Sequence, residues 1–164
     1  MKKIFLAMIV ICLSSVAFAQ EVDGWKLFAV TDGVEVYIDT TTIKRVDNKE
    51  SGTFRYGVVS KKLYTDIIAK SEYLGRIEST FAETEKKPEK VRKKMKKWDD
   101  FKYTLIEYIY DCANRRFRTV TITDYNSKGK VIVKTKTKKD SPWTNIEGDD
   151  VGDLMLFYVC DSGQ

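Results

Sequence analysis

FKYTLIEYIYDCANRRFRTVTITDYNSKGKVIVKTKTK, running from Phe101 to Lys138, decides the fold of this chain. Phe101 to Cys112 is almost continuously aromatic and β-branched, with Phe101, Tyr103, Leu105 and Ile109 on one face and Ile106, Tyr108, Tyr110 and Cys112 on the other; this is a strand pattern. Ala113-Asn114 turns the chain into a second run, Arg116 to Tyr125. Asn126-Ser127-Lys128-Gly129 turns it again into Lys130 to Lys138. Turns this short join only antiparallel neighbours. In the third run lysines alternate with threonines, a pattern that suits a solvated sheet edge and discourages pairing with another chain.

Upstream, Trp25 to Val30 and Val34 to Asp39 are short strand-like runs joined by Thr31-Asp32-Gly33, with glycine where a hairpin needs positive φ. Thr53 to Ser60 alternates Phe54, Tyr56 and Val58 with Arg55, Gly57 and Val59, giving a third early strand and six in all. Downstream, Asp149, Asp150 and Asp153 surround the start of an apolar run, Val151 to Val159. Carboxylates there cap free N–H groups and oppose the helix dipole, so the run is read as a terminal helix, apolar nearly all round and buried against the sheet. The acidic cluster fits no calcium loop and is read as capping. Residues 64–100 are expected to be a mostly helical or mobile insert, with a short helix from Thr65-Asp66 that stops at Gly75 and a later helical stretch interrupted by Pro88.

Met1 to Ala19 has two lysines, an apolar stretch and Ala17-Phe18-Ala19 before Gln20, the grammar of a secretory signal peptide. Residues 1–19 are therefore expected to be removed, leaving 20–164 as one domain. Cys12 follows the large, branched Ile11, so lipoprotein processing is not expected. The apolar run is too short to span a membrane. Export leaves Cys112 and Cys160 as the remaining cysteines, and an oxidising compartment makes a disulfide between them the default.

The full chain carries 29 basic and 24 acidic residues and no histidine. Beyond the leader, the positive surplus lies entirely between Glu83 and Asp100, where eight basic residues face five acidic ones. Lys90, Arg92, Lys93, Lys94, Lys96 and Lys97, with Trp98 beside them, form the candidate surface for a polyanion or an acidic protein face. A solvated helix with local Glu–Lys pairs explains the same run without a ligand.

The order of several pieces resembles the surface-adhesin protein E family of Gram-negative bacteria: Trp25, the strand end Tyr37-Ile38-Asp39, the segment Asp111-Cys112-Ala113-Asn114-Arg115-Arg116-Phe117-Arg118, Tyr125 with Gly129, Trp143-Thr144-Asn145-Ile146, and a terminal helix closing on Val159-Cys160. The resemblance implies a single α+β domain in which a curved six-stranded antiparallel sheet carries a C-terminal helix, tethered to its concave face by the disulfide. It also implies an adhesin that contacts host matrix or serum proteins such as vitronectin and laminin, and that can form a homodimer. The chain departs from the pattern in having no lipobox and a long basic insert before Phe101.

Without histidine, Ser-His and Cys-His nucleophilic catalysis and imidazole metal ligation are excluded. No nucleophile elbow, phosphate loop or dinucleotide fingerprint is present. The expected protein is therefore not an enzyme, needs no cofactor or metal, and binds no nucleic acid. It acts as an exported binding module, periplasmic, secreted or at the cell surface, contacting host or envelope proteins or anionic glycans such as lipopolysaccharide. The alternative is a periplasmic structural or assembly component of the envelope with no host ligand.

Overall fold

A computed structural model describes residues 24–46, 54–138, 140–148 and 150–163. The leader and Asp149 lie outside the described residues. Six strands form an antiparallel meander in chain order: β1 (Trp25–Thr31), β2 (Val34–Val46), β3 (Arg55–Tyr64), β4 (Phe101–Asp111), β5 (Arg116–Asn126) and β6 (Val131–Lys136). A seventh, β7 (Thr144–Asn145), pairs with Arg116 and Phe117 and so continues the line of β6 along the same edge of β5. Between β3 and β4 come α1 (Ile67–Thr84), α2 (Pro88–Met95) and a 3-10 turn, Lys96–Trp98; α3 (Asp150–Ser162) closes the chain. The α+β architecture expected from the sequence is the one observed.

Alternation along β3 explains where the core sits. Tyr56, Val58, Ser60 and Tyr64 all point to one face and are buried, while Arg55, Gly57, Val59 and Lys61 point to the other. On the buried face, Val36, Ile38, Tyr56, Val58 and Tyr110 pack against Met155, Leu156 and Val159 of α3. Tyr64, at the far end of the same strand, packs with Ala69, Trp98 and Phe101 in a second cluster. Val34 borders both clusters. The two helical units thus share one face of the sheet, α3 over one end and α1 with the 3-10 turn over the other.

Several boundaries differ from the sequence reading, each for a physical reason. Glycine at position 75 does not stop α1, which continues to Thr84. Tyr73, Leu74, Ile77 and Phe81 pack on the second cluster, and that burial outweighs the roughly 1 kcal/mol that glycine costs a helix interior. The expected start is correct: Asp66 Oδ1 accepts from Ile68 N at 2.7 Å and Ala69 N at 3.2 Å. Pro88 opens α2 at its first turn, where its missing N–H costs nothing. A register shift between Phe101 and Tyr103 moves Phe101 off the face it would share with Tyr103, and it is 1 % exposed in the core. β6 ends at Lys136 because the next residue leaves the ladder: Thr137 Oγ1 donates to Thr119 O at 2.6 Å and its N–H to Val120 O at 2.9 Å. As expected of an edge, Lys134 and Lys136 on this strand are exposed.

The disulfide joins Cys112, directly after β4, to Cys160 in α3, with Cα atoms 6.0 Å apart and a separation of 48 residues. It fixes the terminal helix against the first core cluster. Replacing both cysteines with alanine is expected to lower unfolding stability by about 4 kcal/mol, from the entropy of the opened loop. Urea denaturation measures this, and a loss below about 1 kcal/mol would contradict it.

Candidate functional site

Helical periodicity sorts the basic run. Val91, Lys94, Met95 and Trp98 fall at i, i+3, i+4 and i+7, the spacing of a single stripe, and this stripe faces inward: Val91 and Trp98 are buried and the other two are half-buried. Lys94 Nζ reaches Glu85 Oε1 at 2.5 Å and lies 5.2 Å from the Phe81 ring centroid, so it clamps α2 onto the end of α1. The Lys94 hydrogen bond and charge hold the Glu85 carboxyl below its ordinary range. Lys90, Arg92, Lys93, Lys96 and Lys97 occupy the outer side, all exposed. Among the described residues none of these five has a carboxylate oxygen within 4.0 Å.

Trp98 does not belong to that surface. It is 4 % exposed, its ring sits 5.7 Å from that of Phe81, and its Nε1–H donates to Asp124 Oδ2 at 2.7 Å. The sequence places it beside the cations, but the i+7 spacing from Val91 places it on the opposite side of the helical path. The cause is the apolar bulk of the indole together with a buried acceptor for its N–H.

Asp124, 2 % exposed on β5, gathers three elements. Its Oδ1 accepts from Tyr73 OH of α1 at 2.7 Å and from Thr104 Oγ1 of β4 at 2.9 Å, and its Oδ2 from Trp98. Burial, with the bond to Asp124 acting in the same sense, holds the Tyr73 hydroxyl far above the ordinary phenol range, so it remains a donor. Above it, the Tyr73 and Phe101 rings stack 5.1 Å apart, and burial pushes the Tyr64 hydroxyl up to about 12. A cleft of about 340 Å³ lies beside this group, lined by Ile77, Phe81, Trp98, Ile122 and Val133. The Thr123-Asp124-Tyr125 sequence gives no sign of this role beyond an acidic residue in the middle of a strand.

The other sheet face carries Tyr37, Val59, Lys61, Leu105, Glu107 and Ile109, and no helix covers it among the described residues. A groove of about 550 Å³ crosses it where β2 slips register between Asp39 and Lys44 and where Gly57 adds no side chain. At one end Arg55, Arg116 and Arg118 place their guanidinium carbons 4.9, 4.9 and 5.1 Å from the Trp143 ring centroid. Beneath them Asp111, fully buried, accepts from Arg116 Nη2 at 2.9 Å and Asn114 Nδ2 at 2.9 Å. Burial pushes its carboxyl up, but the bonds from Asn114 and Arg116 outweigh this and leave it below its ordinary value. Asp153, read from the sequence as a capping residue, pairs with Arg115. No three metal-ligating side chains come together among the described residues.

A family model for surface-adhesin protein E matches residues 25–161, and the chain belongs to that family. Searches of curated proteins and of solved structures each found no match. Membership implies a surface or exported binding protein of the adhesin type with a non-enzymatic role. No helix among the described residues is long and apolar enough to cross a membrane.

Two substitutions test this geometry. Asp124→Ala strands two buried donors and the half-buried Tyr73 hydroxyl and is expected to cost about 3 kcal/mol or more, with faster amide exchange across α1 and α2; unchanged exchange there would contradict the hub. Asp111 has a depressed folded pKa, so its contribution is fully present above the unfolded value of about 4 and is lost as pH falls through the folded value. The stability gap between wild type and Asp111→Asn should be constant above about pH 4 and shrink below it; a gap that widens on acidification would contradict the assignment.

Proposed function

We propose that residues 20–164, released from a signal peptide, form one exported, non-catalytic binding domain that engages anionic partners through the outer side of α2 and the 3-10 turn. The observation that carries this reading is the set of five cations, Lys90, Arg92, Lys93, Lys96 and Lys97, exposed with no carboxylate within 4.0 Å among the described residues. In a solvated helix stabilised by local Glu–Lys pairs these charges would find partners one turn away; among the described residues Lys94 alone of this run pairs within 4.0 Å, and with Glu85 of the preceding helix end rather than locally, while Lys90 reaches Glu85 only through its longer-range charge. Concentrated unpaired charge of one sign attracts a polyanion by contacts that weaken with salt. Membership in a surface-adhesin family supports a ligand outside the cell, and host matrix proteins or anionic glycans are the classes this surface suits.

Lys93→Glu, Lys96→Glu and Lys97→Glu combined, with Lys94 left intact to keep its clamp on Glu85, is the informative variant. It is expected to elute from heparin and from immobilised lipopolysaccharide at much lower salt than wild type, with retention lost near about 0.15 M. Unchanged retention sinks the reading. Protease treatment of intact cells provides the second arm. Digestion of the protein supports a surface ligand, whereas release only by osmotic shock contradicts it in favour of an envelope component.

A further inference from the structure

Two exposed lysines far from α2 in sequence, Lys128 and Lys130, are brought toward it by the fold, and Lys102 follows it by seven residues. Asp100 O accepts from Ser127 N at 3.0 Å, and Asp100 Oδ2 from Ser127 Oγ at 2.8 Å, so the β5–β6 turn is fastened to the residues that follow the 3-10 turn. Asn126 Oδ1 accepts from Lys128 N at 3.0 Å and Lys130 N at 2.9 Å, and Gly129 takes the positive φ of 72° that closes the turn. The Lys128 and Lys130 side chains take no part in these bonds and are exposed, as is Lys102 on β4. Lys97 precedes Asp100 by only three residues.

We propose that Lys102, Lys128 and Lys130 continue the α2 surface into a single cationic track. Its ligand is then a linear polyanion of repeating sulfate or phosphate groups, a sulfated or phosphorylated polysaccharide. This deepens the polyanion reading of α2 and rests on it. Lys90 to Lys97 covers roughly 10 Å of helix at 1.5 Å per residue, and the Asp100–Ser127 contact adds about one strand spacing, roughly 5 Å. That span exceeds one anionic group and matches a chain of them. The hollow beside α2 is lined by Glu78 and Glu85 as well as Lys86 and Arg92, so its walls carry no net positive charge to hold a compact anion. Of the eight cations on the track seven are lysines, flexible point charges suited to oxyanions spaced along a mobile chain rather than to bidentate recognition of one group. An acidic protein face would need an apolar or aromatic anchor at the centre of the interface; Trp98 and Phe101, which flank the cations in sequence, are turned into the core, and the half-buried Tyr103 and Tyr125 rings are stacked on each other at the turn end of the track rather than at its centre.

The test uses two neutralised variants of the mature protein, Lys102→Gln/Lys128→Gln/Lys130→Gln and Lys90→Gln/Lys93→Gln/Lys97→Gln. Affinity is measured for heparin, phosphate-rich lipopolysaccharide, polyglutamate and inorganic sulfate from about 50 to about 300 mM salt. Each variant is expected to bind heparin or lipopolysaccharide about tenfold more weakly and to flatten the log K against log salt slope by roughly two units. Which of the two probes binds more tightly identifies sulfate or phosphate as the natural charge. If the turn variant binds like wild type while the α2 variant is weakened, the track is overturned and the α2 reading stands. If neither variant is weakened, both fall. Polyglutamate bound as tightly as the glycans overturns the ligand class, and so does inorganic sulfate competing at equal charge. Both variants leave the turn's backbone bonds in place, and unchanged denaturation midpoints confirm that binding rather than folding is read.

Discussion

The orientation of the basic insert depends on one buried carboxyl group. Asp124 sits in the middle of a sheet face where an unpaired polar group would cost several kcal/mol, and it is satisfied by donors from α1, β4 and the 3-10 turn. The bond to Trp98 matters most for the orientation of the basic segment. With Trp98 pulled inward at the end of the helical path and Val91 buried seven residues earlier, the intervening cations have no direction left but outward. Lys94 is the exception that fits the same geometry, because it shares the inner stripe and meets Glu85 there.

The other end of the sheet is held differently. Beneath α3 the cluster is aliphatic and aromatic, with Ile38 and Val159 fully buried, and its tie to β4 is covalent. An apolar helix needs little directional information to find a sheet face, and the disulfide fixes its position along β4. A helix bearing many lysines has too little apolar surface to fix itself in this way, so the insert adds hydrogen bonds and an ion pair to the apolar packing of the second cluster. The same face therefore carries one helix placed by burial and a covalent tie and a second unit placed by burial and polar contacts together.

This contrast explains what was legible in the chain. The six strands were readable because a meander is made of local alternation and short turns, as in Phe101 to Tyr125, and the α3–β4 tie followed from two cysteines in an exported chain. The seventh strand has only two residues and pairs at a distance from β5, so no local pattern marks it. The continuation of α1 past Gly75 depends on burial of Ile77 and Phe81 against a sheet formed by other parts of the chain. The basic segment was visible as composition, but its division into an inner and an outer side required the period of the helix. The place of Lys128 required the contact between Asp100 and Ser127. Asp124 and the arginines around Trp143 are long-range assemblies, and sequence order alone carries no trace of them.

An adhesin-type domain with one face occupied by helices can meet a partner either on the uncovered sheet or on the helices themselves, and among the described residues the densest run of exposed cations lies on α2 and the 3-10 turn. Amide NMR of the ¹⁵N-labelled protein titrated with a heparin oligosaccharide distinguishes the two directly. Shift changes are expected to concentrate in residues 88–102 and 126–130, to saturate and to be reversed by salt. Changes centred instead on the open face, around Arg55, Arg118 and Trp143, with α2 silent, would contradict it.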